Sequence, residues 1–198
     1  MQIKGVQFEH LTQKPIKLTQ IQDYSEKLKE LPDDQLKYFF TLHEKTEKEP
    51  KRTYNEIFDF LKRYPTIPEA LALLAYNHIQ RRKVARADET IAFNYKHNPE
   101  HLLTRINYAD YCLRRKRPEM VAEIFEDVYD LAELYPEREM FHIEEYRAFH
   151  TVIAQYYYDI EHIEIAENHL LLASNVAPKH PSIISLARKI YKGKGHKR

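Results

Sequence analysis

The chain has one cysteine, three glycines and no tryptophan in 198 residues. The single Cys112 excludes an intrachain disulfide and every multi-cysteine metal motif, and it suits a reducing cytoplasm. Gly5, Gly193 and Gly195 all stand near the ends, so nothing between Val6 and Lys192 can form a glycine-rich phosphate cradle. Charge of one sign is also missing: the formal net charge is +1, which selects neither nucleic acid nor a membrane surface, so any electrostatic argument must be local. No apolar run approaches the length of a membrane span, and the opening MQIKGVQFEHLTQKP has no apolar signal-like region. The expectation is a soluble, unprocessed, cytoplasmic protein with no membrane partner and no cofactor.

What is present is a helical period. Apolar residues make up 43% of the chain, enough for a core. In the segment Pro68 to His101, Leu71, Leu74, Ala75, His78 and Ile79 form one helical stripe, and Arg81, Arg82 and Lys83 interrupt it. Val84, Ala87, Ile91 and Tyr95 form a second stripe that Pro99 ends. The same frame fits 34 residues earlier, where Phe40, Thr41, Thr53, Ile57 and Pro65 take the places of Leu74, Ala75, Ala87, Ile91 and Pro99. It fits 34 residues later through Tyr108, Ala109, Val121 and Phe125, with Pro136 one residue late. After an insertion near Glu137 to Tyr146, a fourth copy carries Ile153, Ala154, Tyr157, Ala166, Leu170, Ala173 and Pro178.

On these residues the chain resembles the tetratricopeptide repeat (TPR) family, whose unit has a Leu-Gly pair, a following tyrosine, a later alanine, an aromatic and a closing proline. Leu74-Ala75, Ala87 and Pro99 carry the best copy. Two departures stand out: the family tryptophan is replaced by Lys37, Leu71, Arg105 and His150, and the turn glycine is absent. The resemblance implies an all-α, right-handed α-solenoid of TPR-like helical hairpins with capping helices at both ends. Its divisions are an N-terminal arm and capping helix over 1–33, repeats over 34–67, 68–101, 102–136 and 147–180, and a C-terminal capping helix with a basic tail over 181–198.

Local signals place the helices. Leu18, Ile21, Tyr24, Leu28 and Leu31 share a face and predict the N-terminal cap helix, ended by Pro32. Thr53 with Glu56, and Thr66 with Glu69, read as capping boxes, and Pro68 as a first-turn proline. Further helices are expected over Pro68 to Arg81, Val84 to His97, Glu100 to Arg115, Pro118 to Leu134, Met140 to Ile160, Ile163 to Val176 and Pro181 to Tyr191. The insertion, with Phe141, Ile143, Tyr146 and Phe149, predicts an elongated helix whose exposed Phe141 or Ile143 offers a docking or homodimer surface.

In the family, first helices line a concave groove. Carried over, that geometry nominates Tyr76, Asn107, Asp110, Arg114 and Tyr158 as groove-binding residues, tyrosine offering a large rigid face and one polar tip. The family subclass that clamps acidic chaperone tails needs basic residues where this chain has Ala148 and Val152, so only Asn107 matches it. Charge is also segregated: net +6 from Arg81 to Arg117, net −9 from Glu119 to Glu145. Arg81, Arg82 and Lys83, with Arg115, Lys116 and Arg117, fall in equivalent turns and form a candidate basic edge for an acidic protein or a nucleic acid; they also read as solvated turns. Nucleic acid is disfavoured because aromatics are not interleaved there. The acidic Glu123, Glu126, Asp127, Asp130 and Glu133 are expected on an outward helix.

Among the eleven histidines, neither His142 with His150 nor His162 with His169 is three or four residues apart, and no HExxH appears, so they read as helix-surface residues. Cys112 reads as a buried small hydrophobe. No catalytic residue and no metal site is nominated. The leading expectation is a protein-interaction module or scaffold that binds a peptide or helix in its groove. Binding along the basic edge is the alternative, and a metal-dependent enzyme stands third.

Overall fold

The computed structural model describes residues 2–3, 7–8, 11–12 and 14–194. Gly5 and Val6 of the expected arm and residues 195–198 of the expected tail lie outside them. The protein is mostly helical. It divides into two compact units, a central one of Tyr24–Tyr111 and a terminal one of Met1–Asp23 with Cys112–Arg198.

The central unit holds α1 (Glu26–Lys29), α2 (Asp33–Lys48), α3 (Tyr54–Arg63), α4 (Pro68–Gln80), α5 (Val84–His97) and most of α6 (Leu102–Arg114). Pro68 opens α4 from its first turn, where its missing N–H leaves no bond unmade. Leu28, Phe39, Leu42, Ile57, Phe60, Ala70 and Leu71 are buried together, and Tyr24, Tyr38 and Tyr64 pack on them. Ala75, on α4, and Ala87, on α5, are buried where these two helices pack closely. Tyr95 stacks on Tyr108 with ring centroids 4.3 Å apart, joining α5 to α6.

The turns repeat along with the helices. Arg82 has φ 58°, its N–H donates to the Ile79 carbonyl at 2.9 Å, and the Lys83 N–H donates to the His78 carbonyl at 2.8 Å. One 34-residue period later Lys116 has φ 59°, and the Lys116 and Arg117 N–H groups donate to the Leu113 and Cys112 carbonyls, each at 3.0 Å. Glu161, with φ 65°, closes the helix Ile143–Asp159 in the same way through His162 to Tyr157. This left-handed helix ending ordinarily takes glycine. Here charged residues hold it, at a backbone penalty of about 1 kcal/mol each.

The terminal unit contains α7 (Glu119–Phe125), α8 (Leu131–Leu134), α9 (Ile143–Asp159), α10 (Ile163–Val176) and α11 (Pro181–Lys194). It also contains a small sheet that the repeat pattern did not predict, formed by β1 (Gln2–Ile3), β4 (Ile16–Thr19) and β5 (Met140–His142), with a separate pair β2 (Gln7–Phe8) and β3 (Leu11–Thr12). β4 pairs parallel to β5, Leu18 opposite Phe141. Ala154, Ala166, Leu170, Ala173, Ile183, Leu186 and Ile190 form the core joining α9, α10 and α11.

Several local expectations are corrected. The Leu18–Leu31 helix is instead a strand followed by one helical turn, because alternate burial of Ile16 and Leu18 suits pairing with β5. The expected helix over 118–134 breaks after Phe125, where Glu126 and Asp127 adopt left-handed backbone. Asp130 therefore does not lie on an outward helix: it is buried, caps α8 through the Ala132 and Glu133 N–H groups, and accepts from the Lys14 N–H at 2.7 Å. The insertion is not an elongated helix. Phe141 is fully buried on β5, which removes it as a docking or dimer surface, and Ile143 is half-buried. His142 and Glu145 start α9 with a capping box, and Arg138 grips Glu145 through two bonds of 3.2 and 2.7 Å. The Thr53 and Thr66 boxes do not form: Thr53 makes no side-chain cap, and the cap of α4 is Ile67, Glu69 being held elsewhere.

Candidate functional site

Within the central unit, α2, α4 and α6 line a cavity of about 370 Å³. Its wall contains Phe39, Leu73 and Asn107, three residues 34 positions apart, so α2, α4 and α6 contribute equivalently spaced residues to one space. Tyr76 and Asn107, both exposed, lie in this wall. Asp110 is exposed one turn beyond Asn107 on α6. Arg114 and Tyr158 belong to the terminal unit; Arg114 is exposed at the end of α6, and Tyr158 packs on the core of α9, α10 and α11.

The sequence reading missed the polar half of the wall. His43 and Glu47 follow Phe39 at four-residue steps on α2, and Glu69 precedes Leu73 by four on α4. That spacing puts each set on one helical face and is the signal that could have found them. Glu69 accepts from the Ser25 N–H at 2.6 Å and from the Ser25 hydroxyl at 2.8 Å, which pins the start of α1 over the N-terminal end of α4. His101 Nε2 lies 3.9 Å from Glu69, its Nδ1 3.0 Å from the Thr104 hydroxyl. His43 Nδ1 lies 4.0 Å from Glu47. Burial, with the Glu69 charge second, raises the Tyr24 phenol above its ordinary range, so Tyr24 stands in the wall as a neutral ring.

The basic residues sit in the repeated left-handed turns. Arg81 is half-buried with its guanidinium 4.2 Å over the Tyr54 ring, which ties it to α3, while Arg82 and Lys83 are exposed. Arg115, Lys116 and Arg117 are exposed, and Arg117 lies 3.7 Å from Glu119.

The histidine reading is corrected in the terminal unit. His150 and His169 are fully buried with Nδ1 atoms 2.9 Å apart, a pairing 19 residues apart that no helical spacing displays. Both Nε2 atoms are buried without a hydrogen-bond partner. Burial holds both rings far below the ordinary histidine range, His169 at about 3, so both are neutral. His78 is also buried. Among the described residues no group of three or more His, Cys, Asp or Glu side chains is placed to hold a metal ion, and no helix is long and apolar enough to cross a membrane.

No protein-family model matches the chain, and no curated protein matches it. Among solved structures it is similar to MamA 41-end from Desulfovibrio magneticus RS-1, with a TM-score of 0.49 and 12% identity over 89% of this chain and 100% of that one. It is likewise similar to the MamA RS-1 ArsTM double mutant, with a TM-score of 0.48 and 13% identity over 86% of this chain and 96% of that one.

Proposed function

We propose that the protein is a TPR-like interaction module whose binding surface is the cavity between α2, α4 and α6, and that its partner is a peptide segment of another protein. The observation that carries this reading is the concave wall to which α2, α4 and α6 contribute residues 34 positions apart, Phe39, Leu73 and Asn107. Aromatic area from Tyr24 and Tyr76 supplies contact at low entropic cost, while Asn107 offers an amide donor and acceptor suited to a peptide backbone. Such sites are scaffolding rather than catalytic, and we read the protein as non-enzymatic.

The test compares partners captured by the full chain and by Ala72→Trp, which fills the cavity from a half-buried position. A partner retained by the wild type and lost by a folded Ala72→Trp supports the groove; partners that ignore the substitution contradict it. Exposure of Arg82 and Lys83 favours a second reading, an acidic or nucleic-acid ligand on that basic turn of the central unit. Binding there would weaken steeply with salt and respond to Lys83→Glu rather than Ala72→Trp.

A further inference from the structure

The chemistry of the cavity wall narrows the partner. Twelve residues line it, and among them are two carboxylates, Glu47 and Glu69, two imidazoles, and no lysine or arginine. The Glu69 side chain retains only 12% of its exposure, whereas Glu47 stands at the rim with 66%. Resting on the groove reading above, we infer that this cavity takes a peptide anchored by a basic side chain, arginine before lysine.

Three alternatives fail on physical grounds. An acidic peptide meets like charge from both carboxylates. A wholly apolar peptide would finish the desolvation of Glu69 while adding no cation, leaving compensation to the His101 imidazole 3.9 Å away, which is charged only when protonated, and burying a carboxylate with so little compensation is unfavourable. A small polar anchor would leave the aromatic faces of Tyr24 and Tyr76 unfilled. A guanidinium satisfies all three demands: it pairs with carboxylate in a planar fork, it stacks on aromatic faces, and its weak hydration makes it cheaper to bury than an ammonium. Ser25 donates one bond to each Glu69 oxygen, and a carboxylate oxygen has a second lone pair, so capacity for an incoming donor remains. The basic turns do not contribute to this pocket, since none of their residues line it.

The experiment uses two random-peptide display libraries, identical except that one fixes a central arginine and the other a central glutamate, selected against the full chain. Enriched peptides are synthesised and their Kd measured against wild type, Ala72→Trp, Asn107→Trp, Glu47→Gln and Glu69→Gln, with thermal melts on each. The expected result is enrichment from the arginine library only and loss of binding in both tryptophan variants. Glu69→Gln should weaken binding about tenfold and Glu47→Gln about two- to threefold, as befits a partly buried and an exposed partner. Changing the peptide arginine to glutamine should weaken wild-type binding to a similar extent as Glu69→Gln. If Glu69→Gln does not fold, Glu47→Gln and the peptide substitution still decide the charge question. Peptides that lose binding in the tryptophan variants but enrich equally from the glutamate library, or ignore the carboxylate substitutions, overturn the basic anchor and leave the groove standing. Peptides indifferent to both folded tryptophan variants, or enrichment from neither library, overturn the groove reading as well.

Discussion

The two units put histidine and carboxylate to different uses. In the central unit His43 and His101 stand in the wall of a cavity, each near a carboxylate, Glu47 or Glu69, where a ligand can reach them. In the terminal unit His150 and His169 are sealed against each other between α9 and α10, and Glu145 is buried under Arg138 at the start of α9. Residue type is therefore a poor guide to role here, and water access is a good one. Polar groups left open to a cavity can recognise a partner; the same groups closed off fix one helix against another and make the fold sensitive to their protonation.

Ion pairs should give the sharpest contrast. Arg138 and Glu145 retain 23% and 4% of their side-chain exposure, whereas Lys45 and Glu56 of the central unit, 2.6 Å apart, retain 46% and 36%. Glu145→Ala strands the arginine and removes the α9 cap, and should destabilise by about 3 kcal/mol. Glu56→Ala should cost under about 1 kcal/mol. Urea melts of the two variants check this, and equal losses would break the comparison.

Acid should separate the units next. His169 is held neutral with its folded value at about 3, against an ordinary 6.5. The unfolded chain takes up the proton first, so the contribution to stability is intact above about pH 6.5 and falls as pH drops toward 3. By pH 5 His169 alone should remove about 2 kcal/mol, with His150 adding in the same direction. Hydrogen exchange, corrected for intrinsic rates, should show α9 and α10 losing protection before α4 and α5. Replacing both histidines with phenylalanine should flatten the difference.

Packing in the central unit is tested by Ala87→Leu, which places a larger side chain where α4 meets α5 and should destabilise by about 1 to 3 kcal/mol. A neutral melt would contradict the close approach that the repeat frame requires. The smallest effect has the opposite sign. Arg82→Gly and Lys116→Gly relieve left-handed backbone, one just past a helix end in each unit, and each should stabilise by up to about 1 kcal/mol, read as a rise in Tm.

Much of the helical body was legible because burial of small residues repeats at one period. Val84–His97 and Ile163–Val176 coincide with their expected limits, and Ala75, Ala87, Ala109, Ala154 and Ala166 are all buried. The terminal sheet was not legible, because β4 and β5 are short and their pairing joins Leu18 to Phe141 across most of the chain. Read locally, Ile143, Tyr146 and Phe149 continue a helical stripe, and nothing nearby says that Met140–His142 will leave it for a strand. Tyr76 and Asn107, which line the cavity, were nominated through the resemblance. Glu69 was misread as a local cap, since its actual partner, Ser25, lies 44 residues earlier and shares no helix with it.

The most direct test of the central claim is an amide chemical-shift map of the full chain titrated with an arginine-anchored peptide from the display selection. Binding in the cavity predicts that the largest shifts fall on α2, α4 and α6 around Phe39, Leu73 and Asn107, with Glu69 and its partner Ser25 among them. Largest shifts at Arg82 and Lys83, at Arg115 to Arg117, or along α9 and α10, with the cavity residues unmoved, would contradict it.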